Sequence, residues 1–146
     1  MLRKLPQIAT PFIWFGMIAA ISFMEAPLKF QAPGITLPLG LSVGRLIFFA
    51  LNKIEIVLAV IFILSLLGSR TIGRAAMVTF GVIVAILVAE TVWLLPALDI
   101  RAEQVITGTG EPFSNLHLFY IALDAIKLIL LFVLGTVMLK RHLRSA

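Results

Sequence analysis

The sequence predicts an all-α integral membrane protein, a four-helix bundle forming a single transmembrane domain over residues 1–146 with both termini cytoplasmic. Three observations predict it. Hydrophobic residues make up 61% of the chain and charged residues 13%, and its mean hydropathy is +1.12. A soluble domain is about half apolar and a quarter charged. Four apolar runs, at about 8–26, 44–67, 75–96 and 116–139, each approach the ~20 residues needed to cross the hydrocarbon core. The segments before the first run, between the second and third, and after the fourth hold Arg3, Lys4, Arg70, Arg74, Lys140, Arg141 and Arg144 and no acid. The other two connections hold Lys29 and Arg101 with Asp99, Glu103 and Glu111. The positive-inside rule therefore places both ends in the cytoplasm, the chain being a multi-pass protein of the inner (cytoplasmic) membrane.

The first run follows Arg3 and Lys4, as a signal peptide would, but reaches Glu25-Ala26-Pro27 without a small-x-small cleavage site. It reads as a retained helix, with Pro11 tolerated in its first turns. The connection at 27–41 carries Pro27, Pro33, Gly34, Pro38 and Gly40 and is too apolar for a free linker. It is expected on the membrane surface or dipping into the bundle, where protein covers its backbone. Gly40-Leu-Ser-Val-Gly44 has the small-xxx-small spacing of packed membrane helices, but reads here as a turn entering the second helix. The third helix is expected to exit at Pro96 into a polar connection with Gly108, Gly110 and Pro112. The absence of Cys excludes disulfides and thiolate chemistry. The net charge of +5 sits at helix ends, so lipid is the expected partner and nucleic acid is not.

The informative residues are the polar ones inside the spans. His117, Tyr120, Asp124 and Lys127 fall within an arc of about 80° on a helix with ~100° per residue. Asn52 and Glu55 share a face of the second helix, with Arg45 at its mouth and Lys53 pointing elsewhere. Glu90 lies one to two turns before Pro96, and Ser22 and Glu25 close the first helix. All lie in the outer half of the bilayer, while the inner half holds little beyond Thr10, Ser65, Thr79 and Thr136. Each unpaired charge would cost ~2.5–3.5 kcal/mol at a helix centre. The cations Arg45, Lys53 and Lys127 are therefore expected to neutralise Glu25, Glu55, Glu90 and Asp124, leaving one negative charge for a proton, a protonated His117 or a bound cation.

Two readings of this cluster stand side by side. One is a network of ion pairs that fixes helix register. The other is a site that binds or conducts an ion or small polar solute, the default for intramembrane charge. In that reading Glu55, Glu90 and Asp124 carry the ion, Arg45, Lys53 and Lys127 tune them, and His117 with Tyr120 guards an opening to the outer face. A redox, cofactor- or quinone-binding role and a structural subunit of a larger membrane complex are the alternatives, and a homo-oligomer is compatible with all of them. No cofactor is expected. A metal would draw on Glu25, Glu90, His117 and Asp124, but His117 has no acid at the spacing of a four-helix di-iron site, and Lys53 and Lys127 would repel the ion. His142 lies in the tail, which excludes a bis-His haem. No catalytic residues are assigned: there is no phosphate loop, CxxC or HExxH, and a Ser22/His117/Asp124 triad fails because its His and Asp are two turns apart.

Trp14-Phe-Gly16, Ala26-Pro27-Leu-Lys-Phe30, Gly44-Arg45-Leu-Ile-Phe48, Leu51-Asn52 and Phe113-x-x-Leu116-His117 resemble, in that order and over nearly the whole chain, a bacterial domain-of-unknown-function family of small four-span membrane proteins. That family is similar to the eukaryotic transmembrane protein family implicated in cisplatin resistance. The resemblance implies a fold and a membrane location rather than a reaction. The family has a small hydroxyl residue three positions after the histidine, where this chain has Tyr120. Residues 55–74 also resemble the DoxX-type four-helix proteins, which implies redox association.

Overall fold

The structure, a computed structural model, describes residues 5–67, 72–111 and 115–144. Arg3, Lys4 and Arg70, which contribute to the predicted orientation, lie outside the described residues, as does Phe113. Helix α1 (Leu5–Ile18) continues through a π-helical stretch (Ala19–Glu25), a single α-turn α2 (Ala26–Leu28) and a 3₁₀ turn (Lys29–Gln31). Next come α3 (Leu37–Leu66) and α4 (Arg74–Ala89), the latter passing through a second π-helical stretch (Glu90–Leu94) into α5 (Leu95–Ile106). Helix α6 (Asn115–Arg144) is the last element among the described residues. These form four continuous helical rods, Leu5–Gln31, Leu37–Leu66, Arg74–Ile106 and Asn115–Arg144, each long and apolar enough to cross a membrane.

The rods run beyond the apolar runs, and the prolines explain how. A proline inside a helix lacks an N–H and clashes with the carbonyl four residues back. Pro27 and Pro96 were expected to end helices, yet both are absorbed. The residue before each donates to the carbonyl five residues back instead: Ala26 N–H to Ile21 O and Leu95 N–H to Glu90 O. Each proline is thus met by a widened turn, and the rod continues. At the start of α3, Thr36 caps the helix by accepting from Leu39 N–H at 3.4 Å, with Pro38 in the first turn where its missing N–H costs nothing.

Neighbouring rods are antiparallel. Gln7 Nε2 donates to Ser65 O at 2.6 Å at one end of the α1–α3 contact. Ser22 Oγ donates to Asp124 Oδ2 at 2.6 Å towards the other end of the contact with α6. The end holding residues 5, 66, 74 and 144 is called the near end below, and the end holding 31, 37, 106 and 115 the far end. The largest apolar cluster lies towards the near end and includes Trp14, Ile18, Leu58, Phe62, Ile83, Leu87, Leu131, Leu134 and Met138. A smaller cluster of Leu94, Leu95 and Tyr120, with Phe48, Leu98, Leu116 and Leu123 against it, lies towards the far end. Most of the remaining large apolar side chains face outward, Leu46, Val57, Val92 and Ile129 among them, as lipid-facing positions do.

Gly40 and Gly44 are not the turn that the sequence suggests. They lie inside the first two turns of α3, and the segment returning from the first rod packs on them. A Cβ at Gly40 would overlap the Phe30 ring, and one at Gly44 would come within 2.8 Å of Lys29 Nζ. The two positions should respond differently. Gly40→Ala is expected to destabilise by ~1–3 kcal/mol, the usual cost of overpacking, because the whole Phe30 ring would have to shift off the helix. Gly44→Ala should be close to neutral, because a flexible lysine tip can move and alanine favours a helix over glycine by about 0.5–1 kcal/mol. Thermal unfolding of the two variants in detergent checks the order.

Candidate functional site

Between the two apolar clusters the four rods place a centre of charge. Asp124 and Lys127 are three residues apart on α6 and share a face. Lys127 Nζ lies 2.9 Å from Asp124 Oδ1 and donates to Glu55 Oε1 at 2.7 Å and to Glu90 Oε2. Trp14 Nε1 donates to the same Glu55 oxygen at 2.8 Å, and Ser22 holds the second oxygen of Asp124. Every rod contributes: Trp14 and Ser22 from the first, Glu55 from α3, Glu90 from the second π-helical stretch, and Asp124 with Lys127 from α6. The three carboxylates and the lysine are each 0–1% exposed.

The helical backbone explains how the residues arrive there. Asn52 and Glu55 are three residues apart on the buried face of α3. Asn52 Nδ2 donates to Thr91 Oγ1 at 2.9 Å, and Thr91 donates to Leu87 O at 2.6 Å. This ties α3 to the π-helical stretch whose first residue is Glu90. Leu58, Leu87 and Leu131 lie one turn from the centre on the near-end side, with Phe62, Ile83 and Leu134 beyond them. On the far-end side Leu94, Leu95 and Tyr120 cover it, and the Tyr120 ring meets Phe48 edge-on at 5.3 Å between centroids. The expected opening to the outer face is corrected accordingly. The centre is enclosed by an apolar layer on each side, and Tyr120 is part of that cover rather than a polar guard.

The expected sharing of cations is also corrected. Arg45 bonds Asp99 Oδ1 at 2.6 Å through Nε and Glu103 through Nη1, making a far-end clasp between α3 and α5. Those acids were placed in a connection by the sequence, but α5 continues past Pro96 and carries both, four residues apart. Glu25 pairs with Lys29 at 3.4 Å. The side chains of Lys53 and His117 are exposed, so Lys53 serves none of the acids and His117 does not join the carboxylates. One ammonium, Lys127, therefore faces three carboxylates, and two negative charges lack a partner where one was expected. Trp14 and Thr91 were not foreseen as site residues. A tryptophan well inside a span, away from the interface where this residue usually sits, is the signal that would have found Trp14.

Three carboxylate oxygens, Glu55 Oε2, Glu90 Oε1 and Asp124 Oδ1, are buried without a hydrogen bond among the described residues, the last in ion-pair contact with Lys127 alone. Oxygens of Glu55, Glu90 and Asp124 come within 4.8 Å of one another, which is close enough to hold a metal. The residues do not fit one, because the Lys127 ammonium already occupies the point where the three carboxylates converge. The metal set drawn from Glu25, Glu90, His117 and Asp124 is not assembled either, since Glu25 is paired with Lys29 and His117 is exposed. No protein-family model matches the chain, and no match is found among curated proteins or solved structures.

Proposed function

We propose that this multi-pass membrane protein binds protons at the Glu55–Glu90–Asp124–Lys127 centre and moves them when one of its apolar covers parts. The observation that carries the reading is the charge count: three fully buried carboxylates share one ammonium. Carboxylates this close in a low-dielectric interior do not all ionise. A metal or alkali ion would have to displace Lys127. A proton needs no such space, and it turns an acceptor oxygen into a donor. Glu55 Oε2, Glu90 Oε1 and Asp124 Oδ1 are where a hydrogen bond is missing. The two π-helical stretches support movement, because one carries Glu90 of the centre and the other carries Ser22, which bonds to its Asp124. Helical stretches of this kind are frequent at functional sites.

Purified protein in liposomes with a trapped pH indicator, under an imposed membrane potential, should acidify or alkalise the lumen. Asp124→Asn keeps the shape and the bond from Ser22 but cannot carry a proton. Removing a positioned proton carrier should slow proton movement about a hundredfold or more. If Asp124→Asn is stable and moves protons as fast as the unmodified protein, the reading fails.

A further inference from the structure

The centre is sealed above and below, yet one of its hydrogen-bond partners is not fully buried. Among the described residues the side chains that donate to its carboxylates from outside the centre are Trp14 and Ser22. Trp14 is 1% exposed and lies on the near-end side, packed in the main apolar cluster. Its indole N–H is a donor without an acceptor lone pair, so it cannot pass a proton on. Ser22 is half-buried, and its hydroxyl both donates and accepts. Three residues further towards the far end, in the same π-helical stretch, is Glu25, whose side chain is 28% exposed and paired with Lys29.

We propose that Ser22 is the relay through which protons reach and leave Asp124, with exchange from the far end of the bundle. The inference rests on the reading of the centre as a proton-binding site. In the inward step the Ser22 hydroxyl gives its proton to Asp124 Oδ2, 2.6 Å away, and Ser22 Oγ takes a replacement from a hydronium ion reaching it from the far end, which leaves as water. The carboxylate becomes a carboxylic acid, the hydroxyl is regenerated, and one negative charge is neutralised at the centre. The outward step reverses each transfer. The groups facing Asp124 are Lys127 and Tyr120 on its own helix, Ser22 on the first rod, and Glu55 and Glu90 across the shared ammonium. Those facing the outer part of the route are Glu25 and Lys29, with His117 within electrostatic reach of Lys29. Among the described residues no equivalent route leads to the near end, where Leu58, Leu87 and Leu131 follow directly.

The experiment follows the carboxylic-acid stretch of Asp124 by infrared spectroscopy in nanodiscs. The band is assigned as the one lost in Asp124→Asn, and its hydrogen–deuterium exchange is timed after dilution into heavy water. Ser22→Ala should slow that exchange about a hundredfold, the lower end of what a positioned proton-transfer group contributes, while the equilibrium amplitude of the band persists. Ser22→Thr keeps a hydroxyl and should exchange at nearly the original rate, a rescue that a merely structural serine would not show. Unchanged exchange in Ser22→Ala, with the Asp124 band present, overturns the relay and leaves proton binding standing. A protein with no carboxylic-acid band sensitive to Asp124→Asn overturns the proton-binding reading and the relay with it.

Discussion

Lys127→Met is expected to destabilise the protein by about 3–5 kcal/mol, the cost of leaving buried charge without its counter-charge. The lysine is 0% exposed and faces Glu55, Glu90 and Asp124 together, so its removal leaves three carboxylates with no cation. The carboxylates should not respond in the same way. Glu90→Gln removes a charge that is already in excess and keeps an amide oxygen to accept from Lys127. It should therefore cost far less than Lys127→Met. The quadruple variant Lys127→Met, Glu55→Gln, Glu90→Gln, Asp124→Asn should recover much of the loss, because a buried ionic cluster replaced as a whole is often nearly neutral. Its effect will not be the sum of the single substitutions, since Lys127 touches all three acids. Unfolding in detergent, monitored by circular dichroism, measures all three. Equal costs for the lysine and for each acid would contradict the count of two excess negative charges.

The second large effect is at Trp14. Trp14→Ala is expected to cost about 3–5 kcal/mol, the range for emptying a large aromatic site. In a bilayer the loss is mainly of van der Waals packing rather than of a hydrophobic driving force between helices. The ring touches the apolar cluster from the first rod and also donates its N–H to Glu55 Oε1, which Lys127 shares. Trp14→Phe separates the two contributions. It keeps most of the packing and removes one hydrogen bond to a charged acceptor, for an expected loss of about 1.5–3 kcal/mol. A Trp14→Phe protein as stable as the parent would show that the indole N–H does not matter to Glu55. The same unfolding measurement decides it, and intrinsic fluorescence of the remaining Trp93 reports whether the far-end fold is intact.

Much of the architecture is legible in the chain itself. Four runs of about twenty apolar residues in lipid have one economical solution, a helix each, because no water is there to satisfy an open backbone. The helical period then places Asn52 with Glu55 on one face, and Asp124 with Lys127 on another. The ~1.5 Å rise per residue brings Glu55, Glu90, Asp124 and Lys127 to a common level. Those four do converge, and their burial was legible because a charge facing lipid at that depth is costly.

What the chain alone did not decide is which charge meets which. Partner choice depends on how each helix is rotated against its neighbours and on where the rods end. Pro96 reads as an exit, but the π-helical turn before it lets α5 continue. That continuation carries Asp99 and Glu103 back to Arg45 and takes the arginine away from the buried acids. In the same way Pro27 is absorbed by a π-helical stretch that keeps Ser22 and Glu25 helical, and the returning segment packs Phe30 and Lys29 on Gly40 and Gly44. Sequence periodicity assumes 3.6 residues per turn throughout, and two of the four rods depart from it at the positions that hold Ser22 and Glu90. The number of helices and the depth of the charges thus follow from transfer energetics and the helical repeat. The partners of Arg45, Glu25 and Lys127, the closure of the centre and its two excess charges follow only from packing, where a local change of register sets the rotation of everything beyond it.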